Sequence, residues 1–99
     1  MNTGNMNIGQ LQEIEFTAAA IKFMHNGEPV IMKGVRHWMI ISAISEAGLT
    51  ADYKKSHTEG FLVKFNGHED FVSRDEGKVI AEAKRIQLRS NTLTSEDLW

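Results

Sequence analysis

The chain has 99 residues, a formal net charge of −2 and no cysteine. This length predicts a single domain with one modest core, and the charge excludes the broad basic field that duplex nucleic acid needs. The lack of cysteine excludes disulfides and thiolate metal sites, which is typical of a reducing cytoplasm. No apolar run reaches the ~20 residues of a membrane span, and the first residues lack the pattern of a secretory signal. We therefore expect an intracellular protein that acts away from the membrane.

The N-terminal half of the chain predicts a flexible arm followed by a β-hairpin. Residues 1–12 are rich in Asn and Gly and have no hydrophobic period, so we expect an arm there and a single domain over residues 13–99. Ile14–Met24 has the composition of a strand, although its three consecutive alanines leave a helix open. Asn26-Gly27 favours a hairpin turn because both residues accept positive φ, and Pro29–Met32 forms the returning strand.

The middle of the chain predicts a helix and then a loop. Residues 36–47 have apolar residues at helical spacing, and Gly48 is a typical stop after a helix. Residues 50–59 are polar and predict a loop over the surface. The residues of the helix expected to face the core are Ile40, Ile41, Ile44 and Ala47.

The C-terminal half predicts a second hairpin and a second helix. Asn66-Gly67 is the turn signal, and Ser73 with Glu76 forms a capping box that begins the helix. Residues 87–94 form a polar connector to a tail at the end of the chain. The buried stripe of the second helix is predicted to be Val79, Ile80, Ala83 and Ile86. The expected fold is α+β, a small antiparallel sheet of two hairpins packed against two helices.

Both predicted helices begin with cations. Arg36 and His37 open the first helix, and Arg74 opens the second with Lys78 one turn further on. Each cation there faces the positive end of the helix dipole at a cost of about 0.3–1 kcal/mol. The pattern therefore indicates a bound anion, and a phosphate suits helix N–H groups, guanidinium and imidazole. The alternative is pairing within the chain, to Glu96, Asp97 or the terminal carboxylate.

Aromatic residues near these cations favour a nucleotide over a bare phosphate. Trp38 and Phe71 are candidates to pack on a base, although most aromatic residues in a small domain belong to its core. Leu98 and Trp99, with Asp97 before them, end the chain in an apolar tail. We expect this tail to dock in a groove of its own subunit or of a neighbouring one, which favours a homo-oligomer.

No cofactor or metal motif is present. The four histidines do not have the spacing of a metal site, and neither a Walker A loop nor a dinucleotide fingerprint occurs. His37 beside Arg36 could act as an acid or base in phosphodiester cleavage. No nucleophile or second acid–base partner is identified with it, so a binding protein is the stronger expectation.

The chain resembles a family of small, mostly uncharacterised tailed-bacteriophage proteins. The residues that carry this resemblance span about 16–99: Gly34-Val35-Arg36-His37, Ile40-Ile41, Gly60-Phe61-Leu62, Phe71-Val72-Ser73-Arg74-Asp75-Glu76, Ile80-Ala81 and Ser95-Glu96-Asp97-Leu98-Trp99. The tail is the most specific block. The chain departs from the family where members commonly have His at Trp38, Asp at Ser73 and Ala at Gly77, and at the hairpin tip His68–Asp70.

The resemblance implies an accessory protein that acts in the cytoplasm of an infected bacterium. Small phage proteins often counter host defence, so the leading expectation is sequestration of a nucleotide signal, such as a cyclic oligonucleotide or an ADP-ribose derivative. The predicted ligand-binding residues are Arg36, His37, Trp38, Phe71, Arg74 and Lys78. One alternative is an inhibitor that binds a host defence enzyme through a hairpin edge or the tail. A further alternative is a phosphodiesterase that uses His37.

Overall fold

The computed structural model describes residues 3–99 and contains one four-stranded sheet. The strands are β1 (Glu15–His25), β2 (Glu28–Gly34), β3 (His57–Phe65) and β4 (His68–Ser73). Their order is β2-β1-β3-β4, and each neighbouring pair is antiparallel. The sheet therefore consists of two hairpins that pair through β1 and β3. The predicted α+β class with two hairpins is confirmed.

Five helices lie along the described chain, after a 3₁₀ turn at Thr3–Asn5. They are α1 (Ile8–Gln12), α2 (His37–Glu46), α3 (Thr50–Lys55), α4 (Arg74–Ala83) and α5 (Ser95–Leu98). The two longest, α2 and α4, each follow a hairpin, as the sequence predicts.

Local signals set the hairpin turns and the start of α4. Asn26 and Asn66 have φ of 51° and 50°, and Gly27 and Gly67 after them both have φ of 78°. Positive φ at both central residues matches the right-handed twist of the flanking strands. The predicted capping box at α4 is present, because the Ser73 side chain accepts from the N–H of residue 76 and the Glu76 carboxylate accepts from the N–H of residue 73.

All five helices pack on the same face of the sheet, over two cores. The larger core joins β3 and β4 to α1, α4 and the tail, and its buried residues are Leu11, Ile14, Phe61, Val63, Val72, Ile80, Ala81 and Leu93. The smaller core joins β1 to α2, and its buried residues are Ala19, Ile21, Phe23, Ile40 and Ile44. Leu49 and Tyr53 bring α3 onto the smaller core, and Leu98 brings α5 onto the larger one.

The other face of the sheet is open. Because side chains alternate along a strand, the residues between the core positions point to this face. They include Ala18, Ala20 and Lys22 of β1, Ile31 and Lys33 of β2, Leu62 of β3 and Phe71 of β4. Residues of both edge strands, β2 and β4, line a single pocket here, so the sheet curls toward its open face.

Glycine 60 lets β3 and β4 come close together on that face. A Cβ at Gly60 would lie 2.0 Å from the Val72 carbonyl oxygen and 2.8 Å from Cζ of Phe71. The first of these atoms belongs to the backbone and cannot move aside. The Phe71 ring therefore lies over Gly60 in a space that only glycine leaves free.

Three predictions about local structure are wrong. The predicted loop at residues 50–59 is helix α3 followed by the start of β3, because Leu49 and Tyr53, one turn apart, pack on the smaller core. Part of the predicted arm is helix α1, whose Leu11 is buried, while residues 1 and 2 lie outside the described residues. The predicted core residues Ile41, Ala47 and Val79 are exposed.

The exposed residues follow from the side that each helix turns to the sheet. The inward side of α2 has His37, Ile40 and Ile44, so Ile41 is rotated off it. The inward side of α4 has Gly77, Ile80 and Ala81, which leaves Val79 on the outer side. Ile80, Ala83 and Ile86 do contact the larger core as predicted.

Candidate functional site

Arg36 lies just before α2 and binds the tail. Its guanidinium donates to the Ser95 carbonyl at 3.2 Å and to a main-chain oxygen of Trp99. Its Nε is 3.9 Å from a carboxylate oxygen of Glu96. The internal pairing that the sequence left open is thus present for Arg36, and its guanidinium is directed at α5.

Arg74 is also paired within the chain. Its Nη2 donates to a carboxylate oxygen of Glu59 at 2.8 Å, and its Nη1 donates to the Leu93 carbonyl at 2.6 Å. The same Nη2 is 3.4 Å from Nδ1 of His37. The Arg74 guanidinium therefore donates to a carboxylate, a carbonyl and an imidazole. These partners differ from the acidic residues of the tail, which the sequence indicated as the alternative to a ligand.

His37 is a buried, neutral imidazole. Its Nε2 donates to the Gly60 carbonyl at 2.8 Å, and its Nδ1 accepts from Arg74. Since Gly60 offers only an acceptor and Arg74 only donors, one tautomer fits. Burial lowers the pKa of His37 below its ordinary 6.5, the charge of Arg74 acts in the same direction, and the bond to Gly60 opposes both. Neither ring nitrogen is free to exchange a proton with a substrate.

The tail docks beside these residues. Asp97 accepts from the N–H of Thr94 at 3.0 Å and from the N–H of Arg89 at 3.1 Å, which begins α5 with a capping box. Leu98 packs on the larger core, and the Trp99 ring lies 6.5 Å from the Phe61 ring. The predicted docking residues thus contact their own chain.

The remaining predicted ligand residues, Trp38, Phe71 and Lys78, lie outside this network of hydrogen bonds between described residues. Trp38 is 65% exposed on the outer side of α2. Phe71 lies on the open face of the sheet, with Nζ of Lys22 5.9 Å from its ring centroid. Lys78 on α4 is half-buried and makes no hydrogen bond or ion pair with the described residues. The six predicted residues do not converge on one pocket.

Two other surfaces of the structure present aromatic side chains outside the network. The first is the outer side of α2 around Trp38, and the second is the groove of the open sheet face around Phe71. The sequence pattern indicates one residue of each surface, Trp38 and Phe71, but not their neighbours, Met39 on the helix and Lys33 on the sheet. The alternation of residues along β2 is the signal that could have placed Lys33 on the open face.

No metal or membrane feature is found in the described part of the chain. Among residues 3–99, no group of three His, Asp or Glu side chains is placed to hold a metal ion. Within the same residues, no helix has the length and apolar character to cross a membrane.

The comparison with family models decides where this chain belongs. Residues 16–99 match the model of the family described as phage T4 y16D protein, which is most of the chain. The chain is a member of the phage T4 y16D protein family. The resemblance to a small phage family is therefore confirmed, and the y16D description names no activity or ligand. No curated protein and no solved structure matches the chain.

Proposed function

We propose that this y16D-family protein acts by binding a protein of the infected bacterium, without catalysis. The observation that carries the proposal is the outer side of α2. Trp38 is 65% exposed, Met39 is 44% exposed, and Ile41 lies one turn from Trp38 on the same side of the helix. Val35, two residues before the helix begins, is also an exposed apolar residue.

The chemistry of this surface suits a protein partner. From Trp38 to Ser45 the helix has no charged residue, so a partner can cover it without burying an unpaired charge. Tryptophan and methionine are enriched in protein interfaces, and Trp residues dominate their binding energy. A helical row of apolar residues matches recognition in which one helix lies in a groove of the other protein.

Trp38→Ala tests the proposal. Tagged wild-type protein is captured with its bound host protein from the infected bacterium, and the purified pair is then titrated. We expect the variant to bind at least about 30-fold more weakly, the loss typical of a hot-spot tryptophan. Val79→Ala is the matched control, because Val79 is an exposed apolar residue on another helix.

Two results would contradict the proposal. One is equal affinity of the wild-type protein and the Trp38→Ala variant for the partner. The other is a wild-type dimer, detected by light scattering, that the variant does not form. That result would make the α2 surface a contact between two copies.

Sequestration of a nucleotide is the second candidate function. The observation in its favour is Phe71 on the open sheet face, beside Lys22. The helix-start cations contribute less, because Arg36, His37 and Arg74 have internal partners. In either form we place the action in the host cytoplasm, where the target would be a defence enzyme or its nucleotide signal.

A further inference from the structure

The groove on the open sheet face has the size of a small-molecule site. A pocket of about 390 Å³ lies there, within the range of typical ligand pockets. It is lined by Ile31, Lys33, Leu62, Glu69, Asp70 and Phe71. A second pocket of about 350 Å³ shares Phe71 and includes Lys22. Phe71 thus lines both pockets.

The apolar part of the groove suits a planar ring. Phe71 lies over Gly60, and Ile31 and Leu62 form apolar walls next to it. An aromatic ring on an open sheet is a stacking platform for any nucleobase, since every base has a π-face. The ammonium of Lys22 lies over this ring at 5.9 Å from its centroid, so a base and a flexible lysine would share the platform.

The charged part of the groove suits a phosphate joined to a sugar and base. Lys33 and Lys22 make no hydrogen bond or ion pair with residues 3–99, so both ammonium groups are available to an anion. Glu69 and Asp70 line the same pocket. On β4 the side chain of Glu69 shares the open face with Phe71, and its carboxylate accepts from the Thr17 hydroxyl at 3.3 Å. This carboxylate can also accept from a ligand hydroxyl or amino group and repels a bare phosphate, so the groove favours a ligand that has a base and a sugar as well as a phosphate.

We infer that the groove between Lys33 and Phe71 binds a nucleoside phosphate, with the base on Phe71 and the phosphate at the lysines. The inference rests on the second candidate function and gives it a site, away from the helix starts where the sequence indicated one. It is independent of the α2 surface, because Trp38 and Phe71 are on opposite sides of the sheet.

Titration calorimetry with the four ribonucleoside monophosphates tests this site on the full chain. We expect saturable binding by the wild-type protein. Phe71→Leu keeps an apolar side chain over Gly60 and removes the π-face, and it should weaken binding at least about fivefold. Lys33→Met keeps the aliphatic stem and should weaken binding and reduce its salt dependence. Lys55→Met, on α3, is the matched control that should bind like the wild type.

Several outcomes would overturn the inference. These are no saturable binding by the wild type in the millimolar range, equal binding by all variants, or inorganic phosphate binding as tightly as a nucleotide. Affinity that rises with the length of a single-stranded oligonucleotide would indicate a nucleic-acid surface instead. Circular dichroism checks that each variant is folded.

The same variants separate the two proposals. Trp38→Ala should bind nucleotide like the wild type, and Phe71→Leu should still capture the protein partner. Failure of one proposal therefore leaves the other intact.

Discussion

At the scale of single residues, the cations that suggest a ligand are used to join distant parts of the fold. Arg74 contacts Glu59, 15 residues earlier, and Leu93, 19 residues later. Charge-assisted hydrogen bonds of this kind are short and strong, and half-buried groups keep much of that strength. The pattern of cations at both helix starts is therefore explained by structure without a ligand.

His37 makes the stability of the protein depend on pH. Its folded pKa is lowered below 6.5, so the unfolded chain binds more protons as the pH falls below that value. The stabilisation that neutral His37 contributes to the folded state is complete above pH 6.5. It is lost progressively as the pH falls toward the lower pKa of the folded state. We expect wild-type protein to lose more unfolding free energy between pH 7.5 and 5.5 than the non-titrating His37→Gln variant. Urea unfolding measures both, and equal losses would exclude this role.

At the scale of elements, α5 is held by contacts at both of its ends. Arg36 binds main-chain oxygens of Ser95 and Trp99, and Asp97 caps the first turn. A helix of four residues is not stable alone, so these contacts and the packing of Leu98 decide its position. The docked tail covers part of the larger core close to the start of α2.

Removal of the cap should loosen the tail. In a Trp38→Phe background, where Trp99 is the only tryptophan, we expect Asp97→Ala to cost about 1 kcal/mol of unfolding free energy and to red-shift the Trp99 emission. Glu96→Ala removes an exposed ion pair with Arg36 and a long hydrogen bond from the Ser95 hydroxyl, and it should cost less.

Acid should release the tail in the same way. Burial raises the pKa of Asp97, but hydrogen bonds from Thr94 and Arg89 outweigh it and hold the pKa below 3.8. The pKa of Asp97 is lower in the folded state than in the unfolded chain. The stabilisation that ionised Asp97 contributes is therefore complete above pH 3.8 and is lost as the pH falls through the folded pKa. A Trp99 signal that stays constant under acid, or after Asp97→Ala, would contradict the role of this cap.

At the scale of the whole molecule, one face of the single sheet packs against the helices in two cores. No helix covers the opposite face in the described part of the chain. Phe61 joins the two cores, because its ring contacts His37 at 5.3 Å, Phe16 at 5.7 Å and Trp99 at 6.5 Å between centroids. These contacts link α2, β1 and the tail through one side chain. We therefore expect the described chain to unfold as a single cooperative unit.

Leu93→Ala tests that cooperativity. Leu93 is fully buried in the larger core, so its truncation should cost about 2–5 kcal/mol. Ile41→Ala, at an exposed position on α2, should cost far less. Urea transitions followed by tryptophan fluorescence and by far-UV circular dichroism should coincide in both variants, and separate transitions would show that the two cores unfold independently.

The sequence by itself determined the features that depend on neighbouring residues. Asn-Gly pairs fix the two hairpin turns, and the Ser73 and Glu76 capping box begins α4, because each signal acts within four residues. Only the tertiary structure decided which partner each cation meets and which side of each helix is buried. Arg36 binds Ser95 and Trp99, which follow it by 59 and 63 positions in the chain. Helix α3 forms because Leu49 and Tyr53 pack on the smaller core. Such contacts depend on how the elements pack in space, which no local pattern specifies.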